Sequence, residues 1–195
     1  MIWANLGSVK KNTDFERKWL FFDKKWGFSM KYLFHSLFIA NIAVAIIGMV
    51  IQPETVAIHF NFEGQPDGWA SREFAAFFSI GVIALLFILL QFPARLLFKL
   101  PPWMVNLPNK DYWLREENRP AAQAQYTQSI RSIGAVIFAF LLYTSFFALQ
   151  ANLSDPVRFN STAPWIGLGC FGVYLIYWLI QLYCRFRIPD ENPEL

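Results

Sequence analysis

Four side chains able to do chemistry stand close together in this chain: His59, Asn61, Glu63 and Asp67. An imidazole beside carboxylates can move protons or ligate a metal. A metal site, however, needs three or four converging ligands, and one His among scattered carboxylates is a weak set. The blander chemistry is a hydrogen-bonded loop, so we expect no metal, no cofactor and no catalytic residue here. Binding is the role left open for His59, Asn61, Gly64, Pro66 and Asp67.

The local pattern says how these residues are presented. Val56, Ile58, Phe60 and Phe62 alternate with Ala57, His59 and Asn61, which is the period of a strand with one apolar and one polar face. His59 and Asn61 then share the polar face. Gly64-Gln65-Pro66-Asp67-Gly68 follows with the residues of a turn. A lone strand needs a partner, and Val157 and Phe159, alternating with Arg158 and Asn160, offer one. The two segments are expected to pair as a small β element.

The elements that must position this loop are apolar. Hydrophobic residues make up 55% of the 195 positions and charged ones 16%, with 21 Phe and 8 Trp. Soluble domains carry nearer a quarter charged residues. Tyr32–Ile51, Phe74–Phe98, Ile133–Leu149 and Trp165–Tyr183 are each about the length that a hydrocarbon core of roughly 30 Å demands. The expected fold is an all-α membrane protein with four transmembrane helices, an N-terminal amphipathic interfacial helix and a small extracytoplasmic β element. Membrane lipids are its implied partners, and a net charge of +3 is too small to suggest nucleic acid.

Charge sets the orientation. Every Lys and Arg except Arg72 and Arg158 falls in the N-terminal segment 1–31, the connection 99–132 with Arg95 just before it, or the tail 184–195. By the positive-inside rule those parts and both termini are cytoplasmic. The loops 52–73 and 150–164 are then extracytoplasmic. Trp69, Trp103, Trp165 and Trp178 fall near span ends, as an interfacial aromatic belt requires.

Within segment 1–31, Thr13 and Glu16 have capping-box spacing, Phe15, Trp19, Phe22 and Trp26 share a face, and Gly27 is a plausible stop. This basic amphipathic helix suits a headgroup layer, or a place against the other cytoplasmic segments. In 99–132 the prolines break any continuous helix, Asn109 can cap a short helix from Lys110, and Pro120 suits the first turn of a longer one.

Other polar features within the spans are weaker. His35 and Asn41 do not share a helix face, and Asp and Glu are missing from the hydrocarbon region, which argues against an ion-coupled transporter. Cys170 and Cys184 are too far apart on one helix to bridge. Gly167, Gly169 and Gly172 match a dinucleotide fingerprint literally but lie in an apolar span, where they read as a smooth surface for helix packing.

The run Pro53-x-x-Val56-x-Ile58-His59-Phe60-Asn61-x-x-Gly64-x-Pro66-Asp67-Gly68 between two spans resembles a widespread bacterial membrane domain of unknown function. That domain also forms part of the SdpI-type immunity proteins, which protect cells from a secreted toxic peptide and take part in signalling its presence. Asn106-Leu-Pro108-Asn109-Lys110-Asp111-Tyr112-Trp113 looks like a second signature common after it. The resemblance implies a non-enzymatic protein of the bacterial inner membrane that senses or neutralises an extracellular peptide or envelope stress. Asn106, Pro108, Asn109, Lys110, Tyr112 and Trp113 would then meet a cytoplasmic partner. A hallmark loop can equally be a structural cap, and an accessory subunit of a larger membrane complex, with a membrane-protein partner, is the alternative.

Overall fold

The computed structural model describes residues 13–92 and 96–188, with side chains described from residue 29 onward. In chain order the elements are helix α1 (Thr13–Ile51), strands β1 (Thr55–Phe60) and β2 (Pro66–Ser71), and helix α2 (Arg72–Gln91). A 3-10 turn (Pro102–Met104), helix α3 (Lys110–Trp113), helix α4 (Arg119–Asn152) and helix α5 (Ala163–Arg185) follow. Ser29–Ile51 of α1, α2, α4 and α5 are each long and apolar enough to cross a membrane. The protein is mostly helical, with one two-stranded antiparallel sheet.

Helices α1, α2 and α4 pack against one another, and α5 packs on α4. The three-helix centre is aromatic: Phe34 and Phe138 are fully buried beside Ile83 and Ala135, and Phe87 stacks on Phe34 with ring centroids 5.4 Å apart. Gly134 of α4 allows this approach, because a Cβ there would lie 2.6 Å from the Phe34 ring. Asn41 is the polar exception, 2% exposed. Its Nδ2 donates to the Leu37 carbonyl (2.8 Å) and across the helix pair to the Phe138 carbonyl (2.9 Å). In an apolar medium an unmade hydrogen bond is costly, so this bond ties α1 to α4. His35 spends its ring Nδ1 within its own helix, on the Lys31 carbonyl (2.6 Å).

Several sequence expectations change. Helix α1 runs through Gly27 without a stop, because a helix long enough to continue into a span outweighs the roughly 1 kcal/mol that one glycine costs. The side chains of the expected amphipathic segment lie outside the described residues, as do residues 1–12 and the tail 189–195. Helix α2 ends at Gln91, short of the expected Phe98, in keeping with the bias against helical backbone just before a proline, here Pro93. Of the three glycines in α5, only Gly167 packs closely, against the Tyr143 ring, while Gly169 and Gly172 face open space. The expected packing surface is therefore confined to one turn, which the Tyr143 hydroxyl reinforces by donating to the Ala163 carbonyl (2.9 Å). Trp178, expected in the aromatic belt, donates to the Ser129 carbonyl of α4 (2.8 Å).

Candidate functional site at the hairpin end

Strands β1 and β2 form a hairpin between α1 and α2. Its register pairs Thr55 with Ser71, Val56 with Ala70 and Ala57 with Trp69, then skips Ile58 to pair His59 with Gly68, and skips Asp67 to pair Phe60 with Pro66. The partner of the first strand thus lies in the same loop, and residues 157–160 form no strand. The skipped residues also break the expected alternation. An extra residue restarts the period of two, so Val56 and Ala57 are both buried while Ile58 is exposed. Pro66-Asp67-Gly68, expected in a turn, begins β2. A proline is tolerated there because the first residue of a strand need not donate.

The turn itself is built by Asn61. Its backbone N–H donates to the Gln65 carbonyl (2.9 Å) and its carbonyl accepts from Gly64 (2.9 Å). Its side-chain Oδ1 accepts from the backbone of Glu63 (3.0 Å) and Gln65 (2.9 Å). That leaves Asn61 working on its own loop, as Asn does in turns. Gly64 takes φ +79°, and a Cβ there would run into the Phe159 carbonyl. The Phe159 N–H donates in turn to the Gly64 carbonyl (2.8 Å), and the Phe159 ring packs on Phe60. The second loop thus meets the hairpin at its turn instead of along its edge.

Beneath the hairpin, the buried Asn152 at the end of α4 stands in for a strand. Its Oδ1 accepts from the Ala57 N–H (2.7 Å) and its Nδ2 donates to the Ala57 carbonyl (3.0 Å). Arg72 staples the base: its N–H donates to the Glu54 carbonyl and its guanidinium to the Gln52 carbonyl, 3.0 and 2.9 Å respectively. Ser71 caps α2 by accepting from Phe74 N–H at 3.2 Å.

On this anchored frame His59 and Asp67 are hydrogen-bonded to each other through Nδ1 and Oδ1, with both side chains well exposed. Phe62, at the turn, is 87% exposed, and Ile58 and Trp69 are about half exposed. Among the described residues no group of three or more His, Cys, Asp or Glu is placed to hold a metal.

Beside the turn lies an open cleft of about 600 Å³. It is lined by Phe147, Gln150 and Ala151 of α4, by Ser154 just beyond that helix, by Glu63 of the hairpin turn, and by Pro156 and residues 158–161. None of His59, Asn61, Gly64, Pro66 or Asp67 lines it. Gln150 carried no sequence signal of its own, and Arg158 entered only through the charge distribution and the alternation of residues 157–160. The spacing of Phe147, Gln150, Ala151 and Ser154, one helix face, is visible only once α4 is known to extend that far.

At the opposite end, the second signature forms a knot. Asn109 stands at the N-cap position of α3, as expected, but in the left-handed conformation (φ 52°) and with no side-chain capping bond. Its Nδ2 instead donates to the Phe186 carbonyl (2.8 Å), which also accepts from Trp113 Nε1 (2.9 Å). Trp113 is buried with Phe98, Val105, Leu107, Ala122 and Phe186, and Tyr112 packs against that cluster. Asn106 is exposed, and Pro108 and Lys110 are half-buried. Asn118 Nδ2 donates to the Tyr112 carbonyl (3.0 Å), and the Arg119 guanidinium donates to the Phe98 carbonyl.

The arrangement is that of a helical protein with four candidate membrane spans and an extramembrane hairpin clamped to the end of one of them. Residues 37–85, from α1 through the hairpin into α2, match a domain of unknown function, DUF1648. No curated protein and no solved structure matches the chain.

Proposed function

We propose that this is a non-enzymatic, multi-pass protein of the bacterial inner membrane, similar to SdpI-type immunity proteins, which senses or neutralises an extracellular peptide or envelope stress. The hairpin is the recognition surface. One observation carries the reading: a hairpin anchored from beneath by Asn152 displays Ile58, Phe62, Trp69 and the His59–Asp67 pair to solvent. Exposed aromatics on a rigid, polar support are what a binding patch requires, whereas a cap serving only the fold would bury them. The distribution of Lys and Arg supports a hairpin outside the cell and both termini inside. Exposed Asn106 and half-buried Lys110 then offer a contact to a cytoplasmic partner.

Deleting the gene and challenging cells with envelope-active peptides tests this reading. Raised sensitivity or a lost transcriptional response is expected, restored by the native gene but not by a Phe62→Ser/His59→Ala variant. Unchanged sensitivity together with unchanged transcription overturns it.

A second reading, an accessory subunit of a membrane complex, draws on α5. That helix exposes Val173, Ile176 and Ile180, and Gly169 and Gly172 leave room for a close neighbour. Purification in mild detergent decides it: a monodisperse monomer with no co-purifying protein excludes the subunit role.

A further inference from the structure

The cleft beside the hairpin turn has a property that the recognition reading does not use. Glu63 and Arg158 both line it, and neither forms an ion pair with any described residue. They come from loops far apart in sequence, brought together by the bond between Phe159 and Gly64. The other basic residue at this end, Arg72, is engaged with Glu73 and the Gln52 carbonyl. Two groups of opposite charge that line one cleft, neither spent on an ion pair, are complementary to a ligand that carries both signs. An anion alone would leave Glu63 opposed, and a cation alone would leave Arg158 opposed.

The depth of the cleft narrows the choice. Phe147 lies about 7 Å below the end of α4 at the helical rise of 1.5 Å per residue. That is close to the thickness of the headgroup region on one side of a bilayer, about 5–7 Å. With the end of α4 set at the outer surface of the headgroup layer, the cleft combines the charges of Glu63 and Arg158 and the polar groups of Gln150 and Ser154 with a Phe147 ring at the level of the first methylenes. A soluble peptide has no need of that combination, whereas a phospholipid has all three parts.

We infer that this cleft binds a phosphorylated primary amine, the phosphoethanolamine headgroup of a phospholipid, with its phosphate on Arg158 and its ammonium on Glu63. A guanidinium matches phosphate oxygens through paired donors. A carboxylate favours an ammonium that can donate hydrogen bonds over a quaternary one that cannot. The glycerol and first methylenes then lie against Phe147. This site is separate from the exposed face of the hairpin, so a hairpin that recognises no peptide would leave the inference intact.

The full chain in nanodiscs of defined composition tests it, with retained lipid counted by native mass spectrometry. Phosphatidylethanolamine is expected to be retained about three- to tenfold over phosphatidylcholine and phosphatidylglycerol, the range that one net hydrogen bond provides. Glu63→Gln should erase the preference over phosphatidylcholine, and Arg158→Gln should weaken retention of every phospholipid. Both side chains are exposed, so unchanged thermal unfolding of the variants is the accompanying control. Displacement of the lipid by free phosphoethanolamine at millimolar concentration would show that the headgroup alone suffices. No displacement would assign the chemistry to the intact lipid. Equal retention of all three lipids, or a preference unmoved by both variants, overturns the inference. So does capture of trialanine with no lipid preference, which would make the cleft a peptide site.

Discussion

The hairpin and the knot around Trp113 are both short, irregular segments rich in aromatic and amide side chains, and they use them in opposite ways. At the knot the distinctive residues turn inward: Trp113 is 6% exposed, and its indole and the Asn109 amide converge on one carbonyl, that of Phe186. At the hairpin, the residues that do the anchoring are an unremarkable Asn152 and a glycine, while His59, Asp67 and Phe62 point to solvent. The difference separates the two roles that a sequence signature can have. A signature consumed by its own hydrogen bonds and core fixes a shape; one left exposed on a fixed shape is free to meet something else.

Substitutions can break this contrast. The largest effect is expected for Trp113→Ala, which empties the knot and removes one donor to Phe186. A loss of about 3–5 kcal/mol is typical of such truncations, and thermal unfolding in detergent measures it. Trp113→Phe should cost only about 1 kcal/mol, the worth of one hydrogen bond. Next comes Asn152→Ala, which leaves both the N–H and the carbonyl of Ala57 without a partner. About 2–4 kcal/mol is expected, together with protease cleavage within residues 55–71 before the spans unfold. Gly64→Ala should cost about 1–3 kcal/mol through the positive φ and the contact with Phe159, and should loosen the cleft as well. Phe62→Ser, at the exposed tip, should move stability by less than about 0.5 kcal/mol. If Phe62→Ser destabilises as much as Asn152→Ala, the hairpin is a structural cap and the contrast fails.

How much of this was legible beforehand depended on the range of the interaction. The spans could be read because a bilayer imposes length and polarity on every residue of a helix, and Pro120 announced the start of α4. The strand from Val56 to Phe60 was visible in its alternation, but its partner was misplaced. The skipped residues Ile58 and Asp67 interrupt the period, and Pro66-Asp67-Gly68 resembles a turn wherever it lies. Gly64 was recognisable as a turn residue, though not as a seat for the Phe159 backbone. Nothing local marks Asn152 as the support of Ala57, or Glu63 and Arg158 as lining one cleft. Those relationships exist only between segments far apart in sequence.

Helix α4 gives both regions a common mechanical element. Arg119 in its first turn holds the Phe98 carbonyl at the knot, and Asn152 in its last holds the hairpin. Its 34 residues make a rod about 51 Å long at 1.5 Å per residue. A rod gripped at both ends couples them mechanically: a displacement of its Asn152 end is carried along the helix to its Arg119 end. It could be absorbed only by bending, and the one glycine in α4, Gly134, is wedged against the Phe34 ring.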